Sequence, residues 1–359
     1  MVHRPRVVLL CVTLSAALHG SSLLISNPGT NSVLRYSDSG MSLGTFVTSG
    51  LGGLSNPGGL GLGSTGNLFV VSRSTNSVLG FGGADGTLLG TFINANLNGP
   101  TDLAFGPDGN LYVANAGPLP AQIQKFDATT GAYLGNFITG AVPDVNTPLY
   151  IDFGSGELAV GTGTDRVFRF DGNTGVSLGS FVRDTPEGLA YGPDGSLYIA
   201  QRISGNIVRR APGGTLTEFV PMGLGGLASP TDIAFGPDNN LYVLSNGGDR
   251  VLRFNGGNGA FIDTFVTAGS GGLTGGTYMT FQPAAVPEPA SGLLAIAGLL
   301  LLASTRFSEA RRTRRLRAQS CAGNAVAQER APNTLHQCLG RLLALLGVLP
   351  QRVQCWRTP

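Results

Sequence analysis

The chain has 359 residues, of which 42% are hydrophobic and only 12% are charged, and it contains 56 Gly but only 4 Cys. This composition excludes an intrinsically disordered chain and a disulfide-based scaffold, and the glycine content argues against long helices, so we expect an all-β protein. The net charge of +2 hides an uneven distribution, because residues 21–285 hold 11 basic and 18 acidic residues. An acidic central region excludes nucleic acid as its preferred partner.

Residues 1–20 have the pattern of a secretory signal peptide. His3, Arg4 and Arg6 precede an uncharged run from residue 7 to residue 18, and small side chains such as Ala16 and Ala17 lie at its end. The run is shorter than the roughly 20 apolar residues of a membrane-spanning helix, which favours a cleaved signal over an anchor. We predict cleavage after Ala17, and the alternative is a buried first strand.

The region from residue 21 to residue 283 is built of repeats. GPDGNLYVA at residues 106–114 recurs as GPDGSLYIA at 192–200 and as GPDNNLYVL at 236–244, with looser copies at 63–71 and 154–160. The leading glycines of these copies are 43, 48, 38 and 44 residues apart. This spacing is typical of a propeller blade of four strands.

Each repeat divides into four short β segments separated by turns. Gly-Pro-Asp-Gly supplies the turn between the first and second segments, since Pro presets φ and Gly tolerates positive φ. We interpret Asp108, Asp194 and Asp238 in these sequences as turn formers. The fourth segment contains a phenylalanine in every copy, which we expect to pack between blades: Phe46, Phe92, Phe137, Phe181, Phe219 and Phe265.

The repeats are offset at the two ends of the region. The first segment is missing before residue 56, but an extra copy follows the last repeat at residues 277–281. If that copy completes the sheet begun by residues 23–47, hydrogen bonds between the two ends close the ring and leave no open edge there. We therefore predict a six-bladed β-propeller, because a seven-bladed ring or an open solenoid lacks the strands.

The repeat resembles those of NHL-type six-bladed propellers, a superfamily that also includes gluconolactonase-like and streptogramin-lyase-like enzymes. The resemblance rests on Gly-Pro-Asp-Gly-Asn-Leu-Tyr-Val at residues 106–113 and spans nearly all of the central region. These residues specify blades and not a reaction.

Few catalytic groups are present in the central region, which contains no His, no Cys and no Trp, and whose only Lys is Lys125. The commonest general base, thiol nucleophiles and the usual zinc ligands are therefore missing. Relatives with lyase activity that depends on His are disfavoured. We expect no catalytic residue here, although the sequence leaves the question of enzymatic activity open.

Four carboxylates at the predicted innermost strands are candidate Ca²⁺ ligands: Asp102, Asp152, Glu187 and Asp232. Innermost strands line the channel of a propeller, so these side chains could converge at one mouth and bind the ion through hard oxygen atoms, aided by Asn115 or Asn246. The resemblance to gluconolactonase-like propellers implies such a channel metal. The alternative is that Asp102 and Asp232 cap turns between blades and that the protein needs no cofactor.

Residues 284–317 combine three features of a sorting signal. Pro287, Glu288 and Pro289 precede an uncharged stretch from residue 290 to residue 305, which is rich in Leu, Ala and Gly. An arginine cluster follows it: Arg306, Arg311, Arg312, Arg314, Arg315 and Arg317. The stretch is short for a bilayer of about 30 Å, but flanking Arg side chains can snorkel and should stay on the cytoplasmic side. We predict a short C-terminal transmembrane helix.

This end of the chain resembles the PEP-CTERM sorting signal. The resemblance covers about residues 286–317 and implies recognition by an exosortase, a membrane enzyme that removes the tail. In that family the mature protein reaches the surface of Gram-negative bacteria that make extracellular polysaccharide. The chain departs from the pattern by continuing over residues 318–359, which we interpret as a disordered tail. A metal or disulfide site at Cys321, Cys338 and Cys355 is the alternative for that segment.

Together these features indicate an exported protein that is anchored through its C-terminal helix and then reaches the cell surface or the biofilm matrix. We predict that the propeller is a non-catalytic binding module for a glycan, a peptide or a protein, with an extracellular polysaccharide or a surface protein as its partner. The alternative is a Ca²⁺-dependent hydrolase or lactonase of gluconolactonase-like type.

Overall fold

Six four-stranded antiparallel sheets follow one another along the chain in the computed structural model, which describes residues 20–117, 122–138, 145 and 147–284. The chain divides into two units, Met1–Pro287 and Glu288–Pro359, and every described residue belongs to the first. The predicted sorting signal and nearly all of the predicted signal peptide lie outside the described residues. Within them, no helix is both long and apolar enough to cross a bilayer.

The sheets are named blades 1 to 6, and their strands are given from the innermost outward. Blade 1 contains β24 (Tyr278–Gln282), β1 (Ser22–Asn27), β2 (Ser32–Tyr36) and β3 (Ser42–Val47). Blade 2 contains β4 (Pro57–Leu62), β5 (Leu68–Ser72), β6 (Ser77–Phe81) and β7 (Leu88–Ile93). Blade 3 contains β8 (Pro100–Phe105), β9 (Leu111–Asn115), β10 (Gln122–Phe126) and β11 (Tyr133–Asn136).

The second half of the ring has the same arrangement. Blade 4 contains β12 (Pro148–Gly154), β13 (Glu157–Thr162), β14 (Arg166–Asp171) and β15 (Ser177–Val182). Blade 5 contains β16 (Pro186–Tyr191), β17 (Leu197–Gln201), β18 (Asn206–Arg210) and β19 (Leu216–Val220). Blade 6 contains β20 (Pro230–Phe235), β21 (Leu241–Ser245), β22 (Arg250–Phe254) and β23 (Phe261–Val266). Short 3₁₀ turns lie at Pro28–Thr30, Leu51–Gly53, Arg73–Thr75, Leu224–Gly226, Asn246–Gly248 and Ser270–Gly272.

Blade 1 joins the two ends of the propeller. The last strand, β24, pairs antiparallel with β1, with Leu23 opposite Phe281 and Ile25 opposite Met279. The side-chain amide of Asn27 reinforces this junction, because it donates to the carbonyl of Gly272 at 3.0 Å and its oxygen accepts from the backbone N–H of Thr274 at 3.0 Å. The predicted closure of a six-bladed ring is therefore confirmed.

The Gly-Pro-Asp-Gly turn is coupled to the tyrosine that follows it. In blade 3, one oxygen of Asp108 accepts from the backbone N–H of Asn110 at 3.0 Å, and the other accepts from the hydroxyl of Tyr112 at 3.0 Å. Gly109 has a φ of 77°, a conformation that costs a glycine little. The same bond from tyrosine to aspartate recurs in blades 5 and 6, so the interpretation of these aspartates as turn formers is confirmed.

The same tyrosines join neighbouring blades. The ring of Tyr112 lies 4.7 Å from Phe137 in its own blade and 4.8 Å from Phe153 in blade 4, measured between ring centroids. Tyr198 and Tyr242 each have the same two phenylalanine contacts. Edge-to-face and tilted contacts of this kind stabilise buried aromatic pairs beyond the area that they bury. The phenylalanines of the fourth segment thus pack between blades, as the sequence predicts.

Removal of β24 tests the closure. We expect a chain that ends at residue 276 to unfold roughly 10 °C or more below a chain that ends at residue 284, or to lose its cooperative transition, because β1 is left with an open inner edge. The longer chain keeps β24 and is the matched control. Differential scanning calorimetry compares the two, and equal transition temperatures would show that closure contributes nothing to stability.

Candidate functional site: the central channel

The six innermost strands surround a cavity of about 410 Å³. Every innermost strand contributes to its lining, and the polar groups in it include the carboxyls of Asp102, Asp152 and Asp232. The volume lies within the roughly 300–1,000 Å³ of small-molecule sites. This cavity is the place where the sequence predicts a ligand or a metal ion.

Equivalent positions of the innermost strands, which are the third residue in blades 2 to 6 and the first residue in blade 1, follow a pattern of three blades that occurs twice around the ring. From blade 2 onward these residues are Gly59, Asp102, Tyr150, Gly188, Asp232 and Tyr278. The order Gly, Asp, Tyr is thus repeated, so the channel has an approximate two-fold symmetry. Asp102 and Asp232 occupy matching positions, as expected, but they lie within their strands and not in the turns before them.

Each aspartate of the channel ties its strand to the next blade. Asp102 accepts from the backbone N–H of Ile151 at 2.9 Å, and Asp232 accepts from that of Met279 at 2.7 Å. Asp152 accepts from the backbone N–H of Tyr191 in blade 5 at 2.8 Å. A buried backbone donor without a partner is destabilising, so these bonds satisfy N–H groups at the inner edge of each sheet.

Two of these aspartates, Asp102 and Asp232, pack against a glycine of the preceding blade, which allows the close approach of the two strands. A Cβ atom on Gly59 would lie 2.0 Å from Oδ1 of Asp102, and one on Gly188 would lie 2.5 Å from the Cα of Asp232. No side chain fits at either position without movement of the backbone. The Gly-Asp combination is therefore a packing requirement of the inner ring.

Burial raises the pKa of the channel carboxyls. It raises the pKa of Asp102 from its ordinary 3.8 to about 7, although the two backbone hydrogen bonds and Arg73 act in the opposite direction. The pKa of Asp152 also rises to about 7, and that of Asp232 rises well above its ordinary value, with repulsion from Asp102 adding to the effect of burial. Asp102 and Asp152 therefore bind protons at a pH near neutrality.

Two tyrosines meet across the channel. Tyr150 in blade 4 and Tyr278 in blade 1 belong to strands on opposite sides of the ring, and their ring centroids are 4.9 Å apart. The hydroxyl of Tyr278 donates to the carbonyl of Leu149 at 2.7 Å. Both side chains are buried, and burial raises the pKa of each hydroxyl well above 10. The pair closes the channel on one side of the cavity.

Glu187 belongs to a different group of side chains from the three aspartates. Its carboxylate lies 3.1 Å from Nη1 of Arg202 and accepts a hydrogen bond from Tyr150. Burial raises the pKa of Glu187, while Arg202 acts against this rise. Of the two asparagines, Asn115 accepts from the backbone N–H of Asn98 at 2.7 Å, and Asn246 begins a 3₁₀ turn.

The four predicted calcium ligands are thus divided between two groups of contacts. Among the described residues, no three His, Cys, Asp or Glu side chains lie near enough to hold one metal ion. The channel aspartates already accept hydrogen bonds from the backbone, and none of the four carboxylates is without a partner. This arrangement does not favour a shared Ca²⁺ ion, and the calcium site stays a prediction.

The tyrosine pair was missed by sequence reasoning, which considered only the carboxylates of the first segments as candidate site residues. An alignment of PTDLAF, PLYIDF and GTYMTF would have placed Tyr150 and Tyr278 at the position of Asp102. Their contact still requires the ring, since the two residues lie in blades on opposite sides.

Comparison with known proteins identifies the fold alone. No protein-family model and no curated protein matches the chain. A chain of the nidogen/laminin complex matches 73% of this chain and 98% of its own length at 16% identity, with a TM-score of 0.58. A protein of unknown function from Bacteroides caccae gives a TM-score of 0.58 at 15% identity, over 73% of this chain and 99% of its own. Hydrazine synthase of Kuenenia stuttgartiensis gives a TM-score of 0.50 at 18% identity, over 69% of this chain and 80% of its own.

The raised pKa of Asp102 predicts a pH-dependent effect of its replacement. In the wild type, protonation of Asp102 stabilises the folded state fully below pH 3.8, and this contribution is lost as the pH rises through about 7. We therefore expect the destabilisation caused by Asp102→Asn to be about 3 kcal/mol smaller near pH 8 than near pH 5. Urea unfolding at both pH values measures it, with Asp184→Asn, an exposed carboxylate outside the channel, as the control. A destabilisation that grows with pH would contradict the assignment.

Proposed function

We propose that this chain is an exported surface or matrix protein whose propeller is a non-catalytic binding module for a glycan, a peptide or a protein. The observation that carries the proposal is the use of the channel carboxyls as ties between blades. A hydrolase that worked through these groups would need them free to bind a metal ion or to move a proton. The described residues also contain no His and no Cys, which removes the commonest alternative groups.

The outer rim of the propeller supports contact with a large partner. Each sheet ends in a strand whose outer backbone edge is unpaired among the described residues. In five blades, the residue three positions before the phenylalanine of the fourth segment is apolar and exposed: Leu43, Leu89, Leu134, Leu178 and Ile262. An unpaired edge beside exposed apolar surface is a site where another chain can add a strand. The rim therefore favours recognition over catalysis.

The route to the surface is part of the same proposal. We infer that the signal peptide directs export and that an exosortase-type enzyme recognises Pro287, Glu288 and Pro289. Before this processing, residues 290–305 span the membrane and the arginine cluster that begins at Arg306 stays in the cytoplasm. All of these residues lie outside the described part of the chain, so their support is the sequence pattern.

Replacement of the sorting motif tests the route. We expect Pro287→Ala/Glu288→Ala/Pro289→Ala to accumulate as a larger form that stays in the membrane, because the processing enzyme no longer recognises its substrate. Immunoblots of membrane and extracellular fractions, with the mass of each form, measure the effect. Pro350→Ala, outside the motif, is the control. Unchanged size and release of the triple variant would refute the sorting proposal.

Binding of Ca²⁺ distinguishes the binding-module proposal from the hydrolase alternative. We expect millimolar Ca²⁺ to leave the temperature of the thermal transition unchanged, because the channel carboxylates already accept hydrogen bonds from backbone N–H groups. Scanning calorimetry with Ca²⁺, with Mg²⁺ and with a chelator measures this. A rise in transition temperature that is specific to Ca²⁺ and absent from Asp232→Asn would instead support the metal-dependent alternative.

A further inference from the structure

Blade 2 lacks a cation that the other five blades share. In each blade, one residue of the third strand pairs with the position of the second strand that holds a tyrosine in blades 3, 5 and 6. In five blades this residue is basic: Arg35, Lys125, Arg169, Arg209 and Arg253. In blade 2 the register places Gly80 opposite Phe69.

In blades 3 and 6, the basic side chain lies over the ring of the tyrosine and pairs with the turn aspartate. The basic residue of blade 5 also pairs with its turn aspartate, whereas Arg35 of blade 1 lies over Phe46 and Arg169 of blade 4 pairs with Glu157. The guanidinium carbon of Arg253 lies 5.9 Å from the ring centroid of Tyr242 and 5.6 Å from that of Phe265. Nζ of Lys125 lies 2.6 Å from Asp108 and 5.6 Å from the ring of Tyr112. Cation–π contacts and ion pairs thus occupy the face of the aromatic pair in blades 3 and 6.

All three members of this cluster are replaced in blade 2. The turn sequence Gly-Pro-Asp-Gly becomes Gly-Ser-Thr-Gly, which puts Thr65 in place of the aspartate. Phe69 replaces the tyrosine, and Gly80 replaces the cation. The aromatic contacts remain, since Phe69 lies 4.6 Å from Phe92 and 5.7 Å from Phe105 between ring centroids. No basic side chain from this position of the third strand therefore lies over the aromatic pair of blade 2.

A pocket of about 650 Å³ lies where the cation and its partner would be. Its lining includes the three phenylalanines and Gly80, and a Cβ atom added to Gly80 would meet no other atom closer than 3.8 Å. Uncharged polar side chains complete the lining: Ser64, Thr65, Asn67, Thr91 and Thr129. The lining contains no Asp, Glu, Lys or Arg.

We propose that this pocket binds a neutral saccharide. The electron-rich face of an aromatic ring attracts the weakly positive C–H groups of a pyranose, while hydroxyl and amide side chains match its hydroxyl groups. An anionic ligand would find no cation here, and a cationic ligand would find no carboxylate. The proposal rests on the binding function proposed above and selects the glycan among its candidate ligands.

Titration of the full chain with defined sugars tests the proposal. The probes are the neutral disaccharides maltose, cellobiose, lactose and chitobiose, with digalacturonic acid and N-acetylarginine amide as charged comparators. We expect at least one neutral disaccharide to bind at millimolar concentration or below in isothermal titration calorimetry. We expect Gly80→Arg to weaken this binding at least tenfold, because its side chain would cover the aromatic pair as Arg253 does in blade 6.

Two further variants show that any loss is local. Thr65→Asp/Phe69→Tyr/Gly80→Arg rebuilds the whole cluster, and we expect it to fold at least as stably as the wild type and to lose binding. Gly213→Arg adds the same side chain to a turn of blade 5 where nothing lies within 4 Å, and we expect it to bind like the wild type.

The outcomes separate this inference from the proposed function. Neutral sugar binding that Gly80→Arg leaves unchanged, or binding of only a charged comparator, would overturn the inference. If no probe binds but the wild-type protein is still retained by the extracellular matrix of cells, the pocket proposal fails and the binding module stands. If matrix retention is also absent, both proposals fail.

Discussion

The structure depends on the inner edge of its sheets, where strands meet a channel instead of another strand. In a propeller every blade has such an edge, and its backbone N–H groups need partners. Here carboxylates of neighbouring blades supply some of them: Asp102 bonds to Ile151, Asp152 to Tyr191 and Asp232 to Met279. One of these bonds reaches β24, the strand that joins the end of the propeller to its start. The inner edge and the closure of the ring are thus parts of one network.

The channel carboxyls act as ties between blades. Burial is the main cause of the raised pKa of these groups, and each carboxyl that accepts from a backbone donor has less capacity for a ligand. The Tyr150–Tyr278 contact adds a steric constraint, because two rings from opposite blades fill the axis on one side of the cavity. The channel side chains therefore join neighbouring and opposite blades of the ring. We propose the outer rim and the pocket of blade 2 as the surfaces for recognition.

The repeats reveal that pocket, since blades 3, 5 and 6 share a cluster of tyrosine, cation and turn aspartate that blade 2 lacks. A cation over an aromatic pair, joined to a turn aspartate in three blades, is a self-contained structural unit. Replacement of its charged members by Thr65 and Gly80 removes both charges together, so blade 2 keeps no unpaired ion in the lining of the pocket. Without these two charged side chains, blade 2 has an uncharged pocket lined by aromatic rings on a rigid scaffold.

The sequence by itself determined the number of blades, the strand that closes them and the role of the turn aspartates. These features depend on signals that are local along the chain, such as a Gly-Pro-Asp-Gly turn and a tyrosine four residues after its aspartate, or on counting the copies of one segment. Only the tertiary structure decided that Asp102 bonds to a residue 49 positions away and that Tyr150 meets Tyr278. It also decided that Gly80 leaves a pocket and not a packed core. Each of these contacts joins different blades or different strands, so the distance between the groups is set by the curvature of the ring and the register of its sheets, which no local pattern of residues specifies.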